Sequence, residues 1–221
     1  KKLKAEQEKA RQLTDAQINR SNEMLTASKV SKSTAGQLGT AIANVDKIAE
    51  DLGAIGEKPV KLSKLKKSIN TLAMSVAQGD NDLFKAGLDA LSDDDSFQPY
   101  IELASVLRPI AFGLAREGQS ASSISNRDVS MFLSILADPV RNLGSIRDSL
   151  TFMKQKAERD AIVDRVAAEN PQFSKIQIEN DLLARGVIQP SIGLDEFLES
   201  KGQTALASKL REDYEKVVKV K

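Results

Sequence analysis

Carboxylates are the side chains in this sequence that come closest to a chemical constellation. Asp80 and Asp82 lie just ahead of the run Asp93-Asp94-Asp95, and together they suggest a calcium loop. Such a loop needs alternating oxygen ligands, a glycine at its sharp turn and a glutamate at the twelfth position, and that spacing is absent. These acids are expected instead to cap helix starts and to be solvated. Glu102 and Glu117 are the nearest approach to a glycosidase pair. Both fall on helical segments with no aromatic cleft around them. With no His and no Cys, the chain lacks the usual general base near neutral pH, a thiol nucleophile, a disulfide and any Cys/His metal site. No glycine-rich phosphate loop is present. The expectation is a protein that is not an enzyme and that carries no cofactor and no metal.

The second chemical feature is basic. Lys58, Lys61, Lys64, Lys66 and Lys67 cluster at the start of one helical segment. Lysines at that density suit phosphate backbones or an acidic partner, although no aromatic interleaves them to stack on bases. The formal charge of +1 hides an asymmetry. Residues 1–67 hold fourteen Lys/Arg against eight Asp/Glu, whereas residues 80–102 hold seven Asp/Glu against one Lys. Opposite patches of that kind can attract each other within the fold or between copies.

The elements that would carry these residues read as helices throughout. Apolar residues make up 41% of the chain and aromatics only 4%, so a core must be built from Leu, Ile, Val and Ala. That composition, with scarce Gly and Pro at plausible boundaries, predicts an all-α fold of helical hairpins and a multi-helix bundle, extended or stabilised by partners. No apolar run reaches the length of a membrane span. The start, Lys1-Lys2-Leu3-Lys4-Ala5-Glu6, is no signal peptide and reads as the middle of a charged helix. The expectation is therefore a fragment or a processed product.

Four units are expected. Residues 1–33 form a polar helix over 3–27 with apolar positions too sparse for a buried face, then a small polar linker at 28–37. Residues 34–92 form a hairpin of helices 35–52 and 61–77, followed by a short helix capped by Asp80 or Asn81. Leu38, Ile42, Val45, Ala49 and Leu52 make the first stripe of that hairpin, and Leu62, Leu65, Ile69, Leu72 and Val76 the second. Residues 93–170 form the central segment, where Pro109 should kink one helix and Asn170-Pro171 should stop another. Residues 171–221 hold the last helices, with Ser174 as a cap and Gly186 and Gly202 as stops.

The central segment carries the only local pattern with a family likeness. Phe112-Gly113-Leu114-Ala115-Arg116-Glu117-Gly118-Gln119 is followed by a Ser-rich spacer and by Ser125-Asn126-Arg127-Asp128-Val129, then by Asp138-Pro139-Val140-Arg141-Asn142-Leu143 and a long helix. Ser125 to Asp128 has the form of a capping box, with Asp in place of the usual Glu. This stretch resembles the C-terminal helical region of very large internal or ejected virion proteins of tailed bacteriophages. The resemblance implies a structural component of a phage virion, delivered with the genome, with other virion proteins and copies of itself as partners and the virion as its location. It carries over no catalytic residue. Arg116, Arg127 and Asp128 are the polar residues it singles out for interaction, against the plainer role of capping helices and holding the loop. The alternative function is a nucleic-acid-binding helical module using the basic N-terminal third.

Overall fold

Helix starts and stops in this chain follow local chemistry closely. The Asp80 carboxylate accepts from the amides of Asp82 and Leu83. Ser125 and Asp128 satisfy each other's amides in a complete capping box, as do Ser174 and Gln177. Gly79, Gly186 and Gly202 adopt positive φ just past three helix ends, where a side chain would be strained. A computed structural model describes residues 2–43, 45, 59–112, 124–137 and 139–219. Among these the regular elements are α1 (Lys2–Ala43), α2 (Pro59–Gln78), α3 (Asn81–Ser92), a 3-10 turn (Asp95–Phe97), α4 (Gln98–Ala111), α5 (Asn126–Leu136), α6 (Pro139–Glu169), α7 (Lys175–Ala184), α8 (Leu194–Ser200) and α9 (Thr204–Lys219). The fold is all-α, as composition requires.

The N-terminal third departs from expectation. The polar stretch 28–37 is not a linker. α1 is one helix of 42 residues that runs through it and across the expected boundary at 33/34. The reason is tertiary. Ser28, Ser31, Thr34 and Ala35 of this stretch lie on the side facing α6, and their small side chains let the two helices approach. Ser21 Oγ donates to the Ala168 carbonyl at 2.7 Å, and Ser28 Oγ to the Ala161 carbonyl at 2.8 Å. Seven residues forward in α1 is seven residues back in α6, so the helices are antiparallel in a fixed register. Met24, Ala27, Ser31, Thr34, Ala35 and Leu38 form the buried stripe of α1. Across it lie Ile146, Leu150, Met153, Ala157, Asp160, Val163, Asp164 and Ala167 of α6, all buried. Serines that look like loop formers in isolation are held helical by what they touch.

The expected hairpin between the segments 35–52 and 61–77 lies largely outside the described residues, since 44 and 46–58 are not among them. Within the described residues, α1 pairs mainly with α6, while α2 lies between α5 and α3. Leu38, Val45, Leu65, Ile69, Leu72 and Val76 are fully buried in one shared bundle, while Ala49 and Leu52 lie outside the described residues. One core runs from Ala35 to Leu210 and joins what had been read as three units. Its largest buried side chains are Tyr100, Phe84, Phe97 and Phe132, and Phe84 meets Phe112 edge-on at 5.3 Å. A smaller cluster of Met24, Val163, Ala167, Ala168, Ile178, Leu182 and Ile188 seats α7 against the far end of α6. α4 continues through Pro109 and ends at Ala111.

Close approach at the α1–α6 seam gives a direct test. Ser31 is 1% exposed, whereas Ser33 points to solvent. Ser31→Leu is expected to destabilise the protein by about 1–3 kcal/mol through overpacking. Ser33→Leu should change the denaturation midpoint little, and the comparison is read by urea unfolding of the two variants.

Candidate interaction sites

Of the residues singled out around the central loop, Asp128 is turned inwards and Arg127 pairs beside it. Asp128 is 2% exposed. Its Oδ2 accepts from the Ser125 amide (3.0 Å), the Ser125 hydroxyl (2.9 Å) and Lys156 Nζ (3.1 Å). Its Oδ1 accepts from the Leu194 amide at 2.8 Å, at the first residue of α8. Lys156 is itself buried. It donates to the Ile192 carbonyl at 2.9 Å and stands 4.9 Å from the centre of the Phe152 ring. One carboxylate therefore caps α5, holds a lysine of α6 and anchors the start of α8.

Arg127 joins a second cluster beside the first. Its guanidinium lies 2.9 Å from Asp195 Oδ2, and Arg211 Nε lies 2.8 Å from the same oxygen. Arg211 also reaches Glu199 at 3.0 Å, and Arg127 stands 5.9 Å from the Tyr214 ring centre. Burial pushes the Asp195 carboxyl up, but the Arg211 hydrogen bond and the charges of Arg127 and Arg211 outweigh it and hold the group below its ordinary value. Asp195 in turn holds the Arg211 guanidinium above its own. The close approach explains Gly193, where a Cβ would lie 2.6 Å from Asp195 Oδ1. Arg116 lies outside the described residues.

The basic cluster is answered by the acidic one. Lys61 Nζ lies 2.7 Å from Asp94 and Lys64 Nζ 3.2 Å from Asp93. Asp94 also caps the 3-10 turn, accepting from the Ser96 amide and hydroxyl. Its hydrogen bonds from Lys61 and Ser96 hold the carboxyl far below its ordinary value. Lys61 and Lys64 are thus paired inside the chain. Lys66 lines a groove of about 740 Å³ between α2, α5 and α9 with Met74, Leu206 and Val217, Lys67 is exposed, and Lys58 lies outside the described residues.

Lys156, Asp195 and Arg211 were not anticipated. Asp195 and Arg211 carry no local signal, because their partners lie in other helices. Lys156 does carry one: with Asp160 and Asp164 it places charge on the mostly apolar buried stripe of α6. A charge on a buried stripe needs a partner.

Two outcomes follow from this geometry. Lys156→Met leaves the Asp128 charge buried and unpaired and is expected to cost about 3–5 kcal/mol. Lys64→Met removes an exposed pair and should cost less than about 1 kcal/mol by the same denaturation assay. The second outcome concerns acid. Because Asp195 titrates lower in the folded chain than unfolded, its contribution is fully present above about pH 4 and is lost as pH falls through the folded value. Asp195→Asn should accordingly flatten the fall in melting temperature below that pH. Compared with protein-family models, curated proteins and solved structures, the chain matches none.

Proposed function

We propose that this chain is an internal structural component of a tailed-phage virion, delivered with the genome and completed by neighbouring chains. The observation that carries the reading is the overhang of α1. The register set by Ser21 and Ser28 brings α6 to its end at Glu169 opposite residue 20 of α1. There Arg20 donates to the Pro171 carbonyl (3.1 Å) and the Phe173 carbonyl (2.6 Å), a latch at the edge of the body. The helix continues outward to Lys2. Eighteen residues at 1.5 Å each make an overhang of about 27 Å. Residues 14–19 are all exposed, and Ile18 leaves 53% of its surface in water. A single helix of this length is marginal in water, so a surface that completes it is expected. The resemblance of the Phe112–Val129 region to internal virion proteins supplies the setting. The nucleic-acid alternative is weakened by the Lys61–Asp94 and Lys64–Asp93 pairs, which already neutralise part of the cluster.

Two measurements test the reading. Mass spectrometry of purified particles should find the chain in filled virions and lose it from particles that have ejected their DNA; absence from filled virions refutes the assignment. Hydrogen exchange on the isolated, dilute chain should show amides before Arg20 exchanging far faster than those of Ser21–Ala43. Equal protection in a monomer would mean that the overhang needs no neighbour.

A further inference from the structure

The groove of about 740 Å³ has α5 as its floor and α2 and α9 as its walls. Ala73, Met131 and Leu210 are buried at its base, and Met74, 38% exposed, stands on the α2 wall. The wall residues recur at helical spacing: Lys66, Asn70 and Met74 along α2, and Leu206, Leu210, Asp213 and Val217 along α9. The walls therefore run for two to three helical turns, about 12–17 Å at 1.5 Å per residue.

Polar atoms in the groove divide by position. On the floor, Ser130 Oγ donates to the Ala73 carbonyl at 2.9 Å and Ser134 Oγ to the Ser130 carbonyl at 3.1 Å. Those hydroxyl protons are already used, so the floor offers an incoming group mainly apolar contact. Charge is confined to the edges. Lys66, Lys209 and Lys216 stand there against one carboxylate, Asp213, which lies 3.3 Å from Lys216. An apolar trough with a net positive edge is complementary to an amphipathic helix that carries acids beside its apolar row.

The chain already contains one pairing of that chemistry. α3 is an acidic amphipathic helix seated on another side of α2. Its buried row is Phe84, Gly87 and Leu91, and at Gly87 it closes on Leu72, where a Cβ would come within 2.7 Å of Cδ2. Just past its end, Asp93 and Asp94 meet Lys64 and Lys61. Helical spacing sets Lys61, Lys64 and Leu72 nearly opposite Lys66, Asn70 and Met74 around α2. α2 thus presents lysines beside apolar surface on two sides. Among the described residues, a helix covers the first side and none lies over the groove.

We propose that this groove is a docking site for an acidic amphipathic helix of a different protein, two to three turns long, seated between α2 and α9 with its acids toward Lys66 and Lys209. α3 is already engaged within its own chain, so the occupant comes from elsewhere. The proposal goes beyond the virion assignment and does not depend on it or on the α1 overhang.

A helix-stapled peptide of residues 80–96 of this chain is the probe, because it carries six aspartates against one lysine around a row that fits α2. Labelled with fluorescein and added to the full chain at low salt, it should give a saturable rise in anisotropy. Its affinity should fall about tenfold in about 0.5 M salt. A counterpart with all six aspartates replaced by asparagine should bind about tenfold more weakly. Met74→Glu/Lys209→Glu puts acid on both walls at exposed positions and should weaken binding by at least about tenfold. Lys29→Glu/Lys32→Glu makes a larger charge change on the exposed side of α1, which lines no part of the groove, and should leave binding unchanged. Circular dichroism checks that both variants keep their helicity. Equal weakening by the two variants means general charge attraction and overturns the proposal. Binding indifferent to the groove variant places the peptide at the seat of α3 and also overturns it, as does no saturable binding to wild type. Self-association of wild type that Met74→Glu/Lys209→Glu abolishes makes the occupant a second copy of this chain and overturns the assignment to a different protein.

Discussion

The Asp128 carboxylate sits where α5, α6 and the connector into α8 meet, and the rest of the bundle is arranged around keeping it satisfied. Moving a carboxylate and an ammonium out of water costs several kcal/mol each, and a bare ion pair does not reliably return that. Here the remaining lone pairs are filled by the Ser125 amide and hydroxyl and by the Leu194 amide. Lys156 spends a second proton on the Ile192 carbonyl. The pair is best understood as a device that sets one arrangement of three segments. Apolar contacts such as Phe152 on Phe197, 5.0 Å between ring centres, tolerate sliding, whereas this network does not.

The neighbouring cluster extends the same logic outward. Asp195 follows Leu194 by one residue, so the amide that caps on Asp128 and the carboxylate that receives Arg127 and Arg211 move together. α9 is thereby tied to α8 and, through Arg127, to the first turn of α5. Gly193 permits the tight approach. The start of α5 and the C-terminal helices, far apart in sequence, are parts of one polar joint, and the 3-10 turn at Asp95–Phe97 is tied to α2 in the same way by Lys61.

Local chemistry was legible and long-range pairing was not. Caps at Asp80, Ser125 and Ser174, and stops at Gly186 and Gly202, each depend on a few adjacent residues, and all appear where their types place them. The apolar stripes at Leu38–Val45 and Leu62–Val76 were also readable, because burial imposes helical spacing. What covers a stripe is not written into it. The partner of α1 is α6, more than a hundred residues away, and the small residues 28–37 look the same in a linker as in a close helix contact. Arg127 and Asp128 were visible as polar residues beside a loop, but their partners Asp195, Arg211 and Lys156 come from later helices. Capping, offered as the plainer role, is what Asp128 performs, together with two contacts that no local reading contains.

The seam between α1 and α6 differs in kind from that joint. Between residues 21 and 35 it is built from Ser, Ala, Thr and a single Met, so each turn removes little apolar surface from water. The direction of a mechanical load therefore matters. Pulled sideways from its outer end, α1 would first lose the Arg20 latch and then peel one turn at a time, each at small force. Dragged along its own axis, it would have to break both serine contacts and slide every small residue past its neighbour at once. The same helix is a strong strut in one direction and a tear strip in the other.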